Sequence, residues 1–198
     1  MCFDAPAELW PALDPCYLED MSDPSDSRYL EMFPAWLRSL GEDTAALGEI
    51  VEGDAPEDAQ RYVVAGLNYL FKSLDLIPDG IDDLGFLDDA FVLRVAASHA
   101  VAENPTAKND VLGRLSDDAR SIKDFLGADY ARLETYVRGL RKGAARGRTV
   151  EDILTDRPTR EAFVGEVRSW AKAFQAPAFT RDQKTLVKLK AFLGAKLP

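Results

Sequence analysis

The chain has 198 residues, 46% of them hydrophobic and 29% charged, which suits one globular domain with a sizeable core. Its formal net charge of −10 argues against general nucleic-acid binding, which needs basic surface to displace counterions. The longest stretch without Asp, Glu, Lys or Arg is ten residues, Tyr62 to Phe71, whereas a membrane-spanning helix needs about 20 apolar residues.

Residues 1–24 hold Pro6, Pro11, Pro15 and Pro24 among acids and read as an irregular acidic arm, with Trp10, Leu13 and Tyr17 as anchors. Asp4 and Glu8 interrupt any basic-then-apolar signal, so the expected location is cytoplasmic. Both cysteines, Cys2 and Cys16, lie in this arm; two thiols make neither a disulfide framework nor a four-cysteine zinc site. Ser25 or Asp26 can cap a short helix carrying Tyr29, Leu30 and Phe33, which Pro34 should break or kink. Residues 42–52 read as another short helix.

From Pro56 a stronger pattern begins. Ala59, Val63, Gly66, Leu67, Leu70 and Leu74 share a helical face, with Arg61, Asn68 and Lys72 opposite. Gly66 leaves room in that stripe for a neighbouring helix. The connector DLIPDGIDD follows at 75–83. Residues 84–103 are apolar nearly all round, the mark of a buried central helix. Arg94, its interior cation, therefore needs a carboxylate partner or an exit to solvent. His99, the one histidine of the chain, sits among Ala96, Ala97, Ala100 and Val101, so a core or flank role fits it better than that of a catalytic base.

Helical patterns continue over 107–114, 117–126 and 129–142. A basic loop follows, and Thr149 caps a short turn. Pro158 opens a helix with Phe163, Val167, Trp170 and Phe174, which Pro177 ends, and Thr180 caps a last helix bearing Leu186, Leu189, Leu193 and Leu197. No alternating β pattern of useful length is present. The expected fold is all-α: a bundle of about eight to ten helices around a central hairpin with a D-L-I-P-D connector. Residues 25–198 are expected to form a single helical domain, with an acidic half at 25–103 and a basic half at 104–198.

Charge is unevenly placed. Residues 1–100 carry 21 acidic and 5 basic side chains; residues 101–198 carry 13 and 19. The two halves are expected to attract each other, within the chain or between copies.

The segment from Tyr69 to Asp89, YLFKSLDLIPDGIDDLGFLDD, resembles the bacterial family known as domain of unknown function 1232, or YkvA-like. Asp75, Leu76, Ile77, Pro78 and Asp79 match its loop; Gly85, Leu87, Asp88 and Asp89 match its second half. The likeness covers about residues 62–101. Ser73 and Asp82 stand where the family usually has prolines. The resemblance implies a helical hairpin and supplies no established activity.

The aspartates of this corner have two readings. As architecture, Pro78 would stop the first helix, Asp79-Gly80 would make a turn, and Asp75 would accept loop N–H groups. Asp82 or Asp83 would cap the second helix, with Asp88 and Asp89 favoured in its first turns. As chemistry, Asp75, Asp79, Asp88 and Asp89 are candidate ligands for magnesium or calcium, which take oxygen donors. The calcium-loop template fails, since Ile77 and Phe86 occupy its third and twelfth positions. A metal-dependent phosphoester hydrolase would be the natural enzyme here.

Arg138, Arg141, Lys142, Arg146 and Arg148 are candidates for contacts with anions, although no aromatic residues interleave for base stacking. The last helix opposes Lys184 and Lys188 to its leucines, a pattern that fits an anionic membrane surface but fits packing in the bundle better. The expected function is a non-catalytic cytoplasmic adaptor or scaffold with no cofactor, acting through a protein partner, self-association or anionic contact. The hydrolase is the alternative.

Overall fold

The computed structural model of the chain describes residues 26–72, 75–81 and 84–198. The expected arm and anchors, both cysteines, Ser73, Leu74, Asp82 and Asp83 lie outside the described residues. The α-helices are α1 (Ser27–Glu52), α2 (Glu57–Tyr69), α3 (Leu87–Glu103), α4 (Asp110–Leu126), α5 (Tyr130–Leu140), α6 (Val150–Thr155), α7 (Arg157–Ala173) and α8 (Gln183–Lys196). Seven of these have eleven residues or more and α6 has six, so among the described residues the all-α class is clear and the count sits at the low end.

One contiguous apolar cluster draws on every helix, from Tyr29 of α1 to Leu197 just past α8. The centre is α3. Leu87, Phe91, Val92, Leu93, Val95, Ala96 and Ala100 are all buried, on every side of the helix, as its all-round apolarity requires. It packs chiefly between α2 and α4, while α1 lies mainly along α7. A Cβ on Gly66 would come within 2.9 Å of the Ala96 methyl, so this glycine sets how closely α2 approaches α3.

Several boundaries differ from the local pattern. Pro34 neither ends nor splits α1, which runs unbroken for 26 residues. The ring removes one backbone donor, but Phe33, Pro34 and Leu37 are all buried around it, and tertiary burial outweighs the local penalty. Ser116 and Asp117 do not begin a helix; they lie inside α4, which Asn109 caps by accepting from the Leu112 N–H at 2.9 Å. Asn68 is not on a solvent face but only 4% exposed, because α2 is covered on nearly all sides. Asp182, not Thr180, caps α8, accepting from the Lys184 N–H at 3.0 Å. Thr149 does cap α6, in a reciprocal box with Asp152.

The basic loop contains a short hairpin, with β1 (Ala144–Ala145) antiparallel to β2 (Arg148–Thr149). Its tip, Arg146-Gly147, has φ of 48° and 76°, the left-handed pair that a tight two-residue hairpin turn demands.

Arg94 finds its partners. Fully buried, it donates to Asp43 of α1 at 3.3 Å, to Asp118 of α4 at 3.1 Å and to the Ala90 carbonyl at 3.1 Å. Its guanidinium also lies 4.3 Å from the Trp36 ring centroid. Asp43 further accepts from Arg114 and Ser39.

Candidate functional site

The carboxylate corner forms where α2 ends and α3 begins. Pro78 does not stop α2, which has already ended at Tyr69. Its role lies in the turn that follows, closed by the Ile81 N–H donating to the Pro78 carbonyl at 3.0 Å around Asp79-Gly80. Leu76 and Ile77 are buried and plug the open end of the hairpin.

The loop N–H groups are not taken by Asp75. The Ile77 N–H donates to Asp88 Oδ2 at 2.9 Å, and the Leu76 N–H to the Tyr69 hydroxyl at 2.8 Å. That hydroxyl in turn donates to Asp88 Oδ2 at 2.5 Å. A relay of one phenol and one carboxylate thus pins the connector to both helices. Tyr69 was the residue whose role the sequence concealed, because a tyrosine at helical spacing reads as ordinary core.

Gly85 completes the corner. A Cβ there would fall 2.3 Å from the Asp79 carbonyl oxygen, so the chain can cross itself only over a hydrogen atom. The residue at the cap position of α3 is Phe86, not Asp82 or Asp83, and it offers no side-chain cap. With φ of 64° it is left-handed, at a cost of about 1–2 kcal/mol for a side chain of this size. Its ring is held by Phe174 at 5.2 Å and Trp170 at 6.3 Å, centroid to centroid.

Asp88 is fully buried and Asp89 nearly so. Burial pushes the Asp88 carboxyl up to about 6, against the opposing pull of the Tyr69 and Ile77 hydrogen bonds. Burial also pushes Asp89 well up, helped by the charges of Asp88, Asp79 and Asp75. Half-buried Asp75 is raised by burial and then by Asp79, while Lys72 opposes. The phenol of Tyr69 is pushed up by burial and by Asp88, so it keeps its proton and remains a donor.

The four candidate ligands therefore lie within electrostatic reach of one another, yet they do not converge. Among the described residues no three Asp, Glu, His or Cys side chains are placed to hold a metal ion. Asp88 spends one oxygen on the connector, and Asp79 turns to the surface. What this corner can do chemically is fix the backbone and hold protons more tightly than free carboxylates do.

The five basic candidates are divided. Arg148 grips Glu166 of α7 through two bonds of 2.8 Å, and Arg146 reaches the same carboxylate at 3.2 Å. Arg141 lies over the Tyr62 ring at 4.5 Å, while Arg138 and Lys142 are exposed. His99 lies against the same Tyr62 ring, tilted, 5.1 Å between centroids; it is buried, and its Nε2 has no hydrogen-bond partner among the described residues.

Beside the corner, Phe71, Arg146, Ala162, Gly165, Glu166, Ser169 and Trp170 line an open surface groove of about 620 Å³. Arg146 sits 4.8 Å over the Phe71 ring, and Trp170 is half-buried. Of its lining only Arg146 stood out in the sequence, as an anion-contact candidate, since the rest comes from two other segments.

No helix among the described residues is long and apolar enough to cross a membrane. No family model, no curated protein and no solved structure matches the chain.

Proposed function

We propose that the protein is a non-catalytic helical adaptor or scaffold that binds a protein partner through the groove on α7. The observation that carries this reading is the composition of that groove. It places a half-buried tryptophan, a phenylalanine and an arginine stacked on it around one open concavity. Trp and Arg are the residue types that dominate binding energy at protein interfaces, and a rim of charge around an aromatic centre is the usual layout of such a surface. The aspartate corner supports the same reading, because its most buried carboxylate is committed to holding the chain turn.

The resemblance of residues 62–101 to the YkvA-like family is part of the proposal, carried by the connector residues and by their shared role in one helical hairpin. A cytoplasmic location is proposed with it.

The test uses the full chain. Partners captured with the wild type are identified and binding is rebuilt from purified components. Trp170→Ala should weaken that binding at least about tenfold and also lower the melting temperature, because the ring packs on Phe86 and Phe174; Arg146→Glu should weaken it as much with the melting temperature little changed. Binding insensitive to both changes, or phosphoester hydrolysis dependent on magnesium and lost in Asp75→Asn/Asp88→Asn, would overturn the reading.

A further inference from the structure

A second concavity lies at the opposite kind of surface. Glu49, Ile50, Gly53, Asp54, Ala107 and Val111 help line a groove of about 440 Å³ where α1 ends and where the α3–α4 link passes. Its walls are mostly short or aliphatic, and its charged groups are two carboxylates, Glu49 and Asp54. Among the described residues no lysine or arginine lines it. Neither carboxylate belongs to an ion pair among the described residues, although neighbouring Glu52 pairs with Arg168.

The backbone adds to the same field. The groove sits at the C-terminal pole of a 26-residue helix, the end that carries partial negative charge, and the last turn holds no basic residue. The carbonyls at this pole meet neutral donors: the Gly53 N–H donates to the Glu49 oxygen at 3.0 Å, and Gln60 Nε2 donates to the Gly53 oxygen at 2.9 Å and to the Ile50 oxygen at 3.3 Å. Helix pole, two exposed carboxylates and an aliphatic trough together favour an extended alkyl chain that ends in a cation.

We propose that this groove binds a lysine or arginine side chain presented by a basic peptide segment of a partner protein. The aliphatic stem would lie along Ile50, Ala107 and Val111, with the cationic head held between Glu49 and Asp54. An exposed carboxylate pair gains little from water-screened charge alone, so the apolar trough is needed to supply selectivity over a bare ion. The volume is within the range of sites that enclose a small group. The site shares no lining residue with the groove on α7, and its failure would leave the reading of that groove untouched.

The experiment follows backbone amide shifts of the full-length protein during titration with the probe acetyl-Ala-Leu-Arg-Leu-Ala-amide. Its citrulline analogue, neutral and nearly isosteric, serves as control. Expected are saturable shifts at Ile50, Gly53, Ala107 and Val111, absent with citrulline and weakened by salt. Glu49→Gln with Asp54→Asn should weaken binding about tenfold with an unchanged melting temperature, since both residues are exposed. Equal binding of the citrulline peptide, no effect of the double substitution, no saturable shift, or shifts centred on Asp75 and Asp79 would each overturn the proposal. Butylguanidinium binding as tightly as the peptide would overturn the peptide assignment in favour of a small organic cation.

Discussion

At the scale of single residues, Asp88 has the clearest consequence. Its Oδ2 accepts both from the Ile77 N–H and from Tyr69, and all three residues are buried. Asp88→Ala strands two buried donors and should cost about 2–4 kcal/mol in urea denaturation. Asp88→Asn keeps an acceptor and should cost much less. The same residue sets a pH signature. Its folded pKa of about 6 lies above the ordinary 3.8, so the native state holds the proton more tightly. The stability this gives is complete below about pH 4 and is lost as pH rises through about 6. The wild type should therefore lose stability relative to Asp88→Asn between pH 4 and 7; parallel curves would refute the assignment. His99 works in the opposite direction. Burial, and then the charge of Arg138, lowers its pKa below the ordinary 6.5, so its contribution is complete above 6.5 and is lost as pH falls from there through the lower folded pKa. Being the one histidine, it can be titrated without ambiguity by proton NMR, and an apparent pKa at or above 6.5 would contradict its burial against the Tyr62 ring.

At the scale of elements, two glycines carry close approaches that no other residue could. Gly85→Ala would drive a methyl into the Asp79 carbonyl, a backbone atom that cannot step aside. The loss should be about 1–3 kcal/mol by thermal denaturation, with the corner rearranged. Gly66→Leu should cost a similar amount by forcing α2 away from α3, against Ala96 and Leu93. The close approach at Gly66 was legible in the sequence, because the glycine interrupts an apolar stripe. The unbroken course of α1 through Pro34 and of α4 through Ser116 was not. A local breaker signal states a penalty of a few kcal/mol, and only the packing on either side shows whether that penalty is exceeded.

At the scale of the whole molecule, charge joins helices distant in sequence. Acid from the first half meets base from the second in Asp43–Arg114, Glu52–Arg168, Glu31–Arg181 and Asp26–Lys190. Pairs of the reverse sense occur almost as often, in Arg28–Asp124, Arg61–Glu151 and Arg94–Asp118, so the ion pairs between the halves do not simply follow the uneven charge. The buried group at Arg94 ties α1, α3 and α4 together. Asp43→Ala leaves a buried guanidinium short of a partner and should cost about 3–5 kcal/mol, read by urea denaturation, whereas the exposed pair Arg157–Glu161 should cost under about 1 kcal/mol when broken.

Periodicity and composition by themselves determined the all-α class, the central place of α3, the turn at Asp79-Gly80, the cap at Thr149 and the need of Arg94 for a carboxylate. These are short-range consequences of side-chain spacing, of capping chemistry and of the cost of burying an unpaired charge. Which carboxylate answers Arg94, which side chains receive the connector N–H groups, and where open grooves remain were decided only by tertiary structure. Each depends on residues far apart in the chain meeting at a few ångströms, and the spacing of neighbours holds no record of that distance.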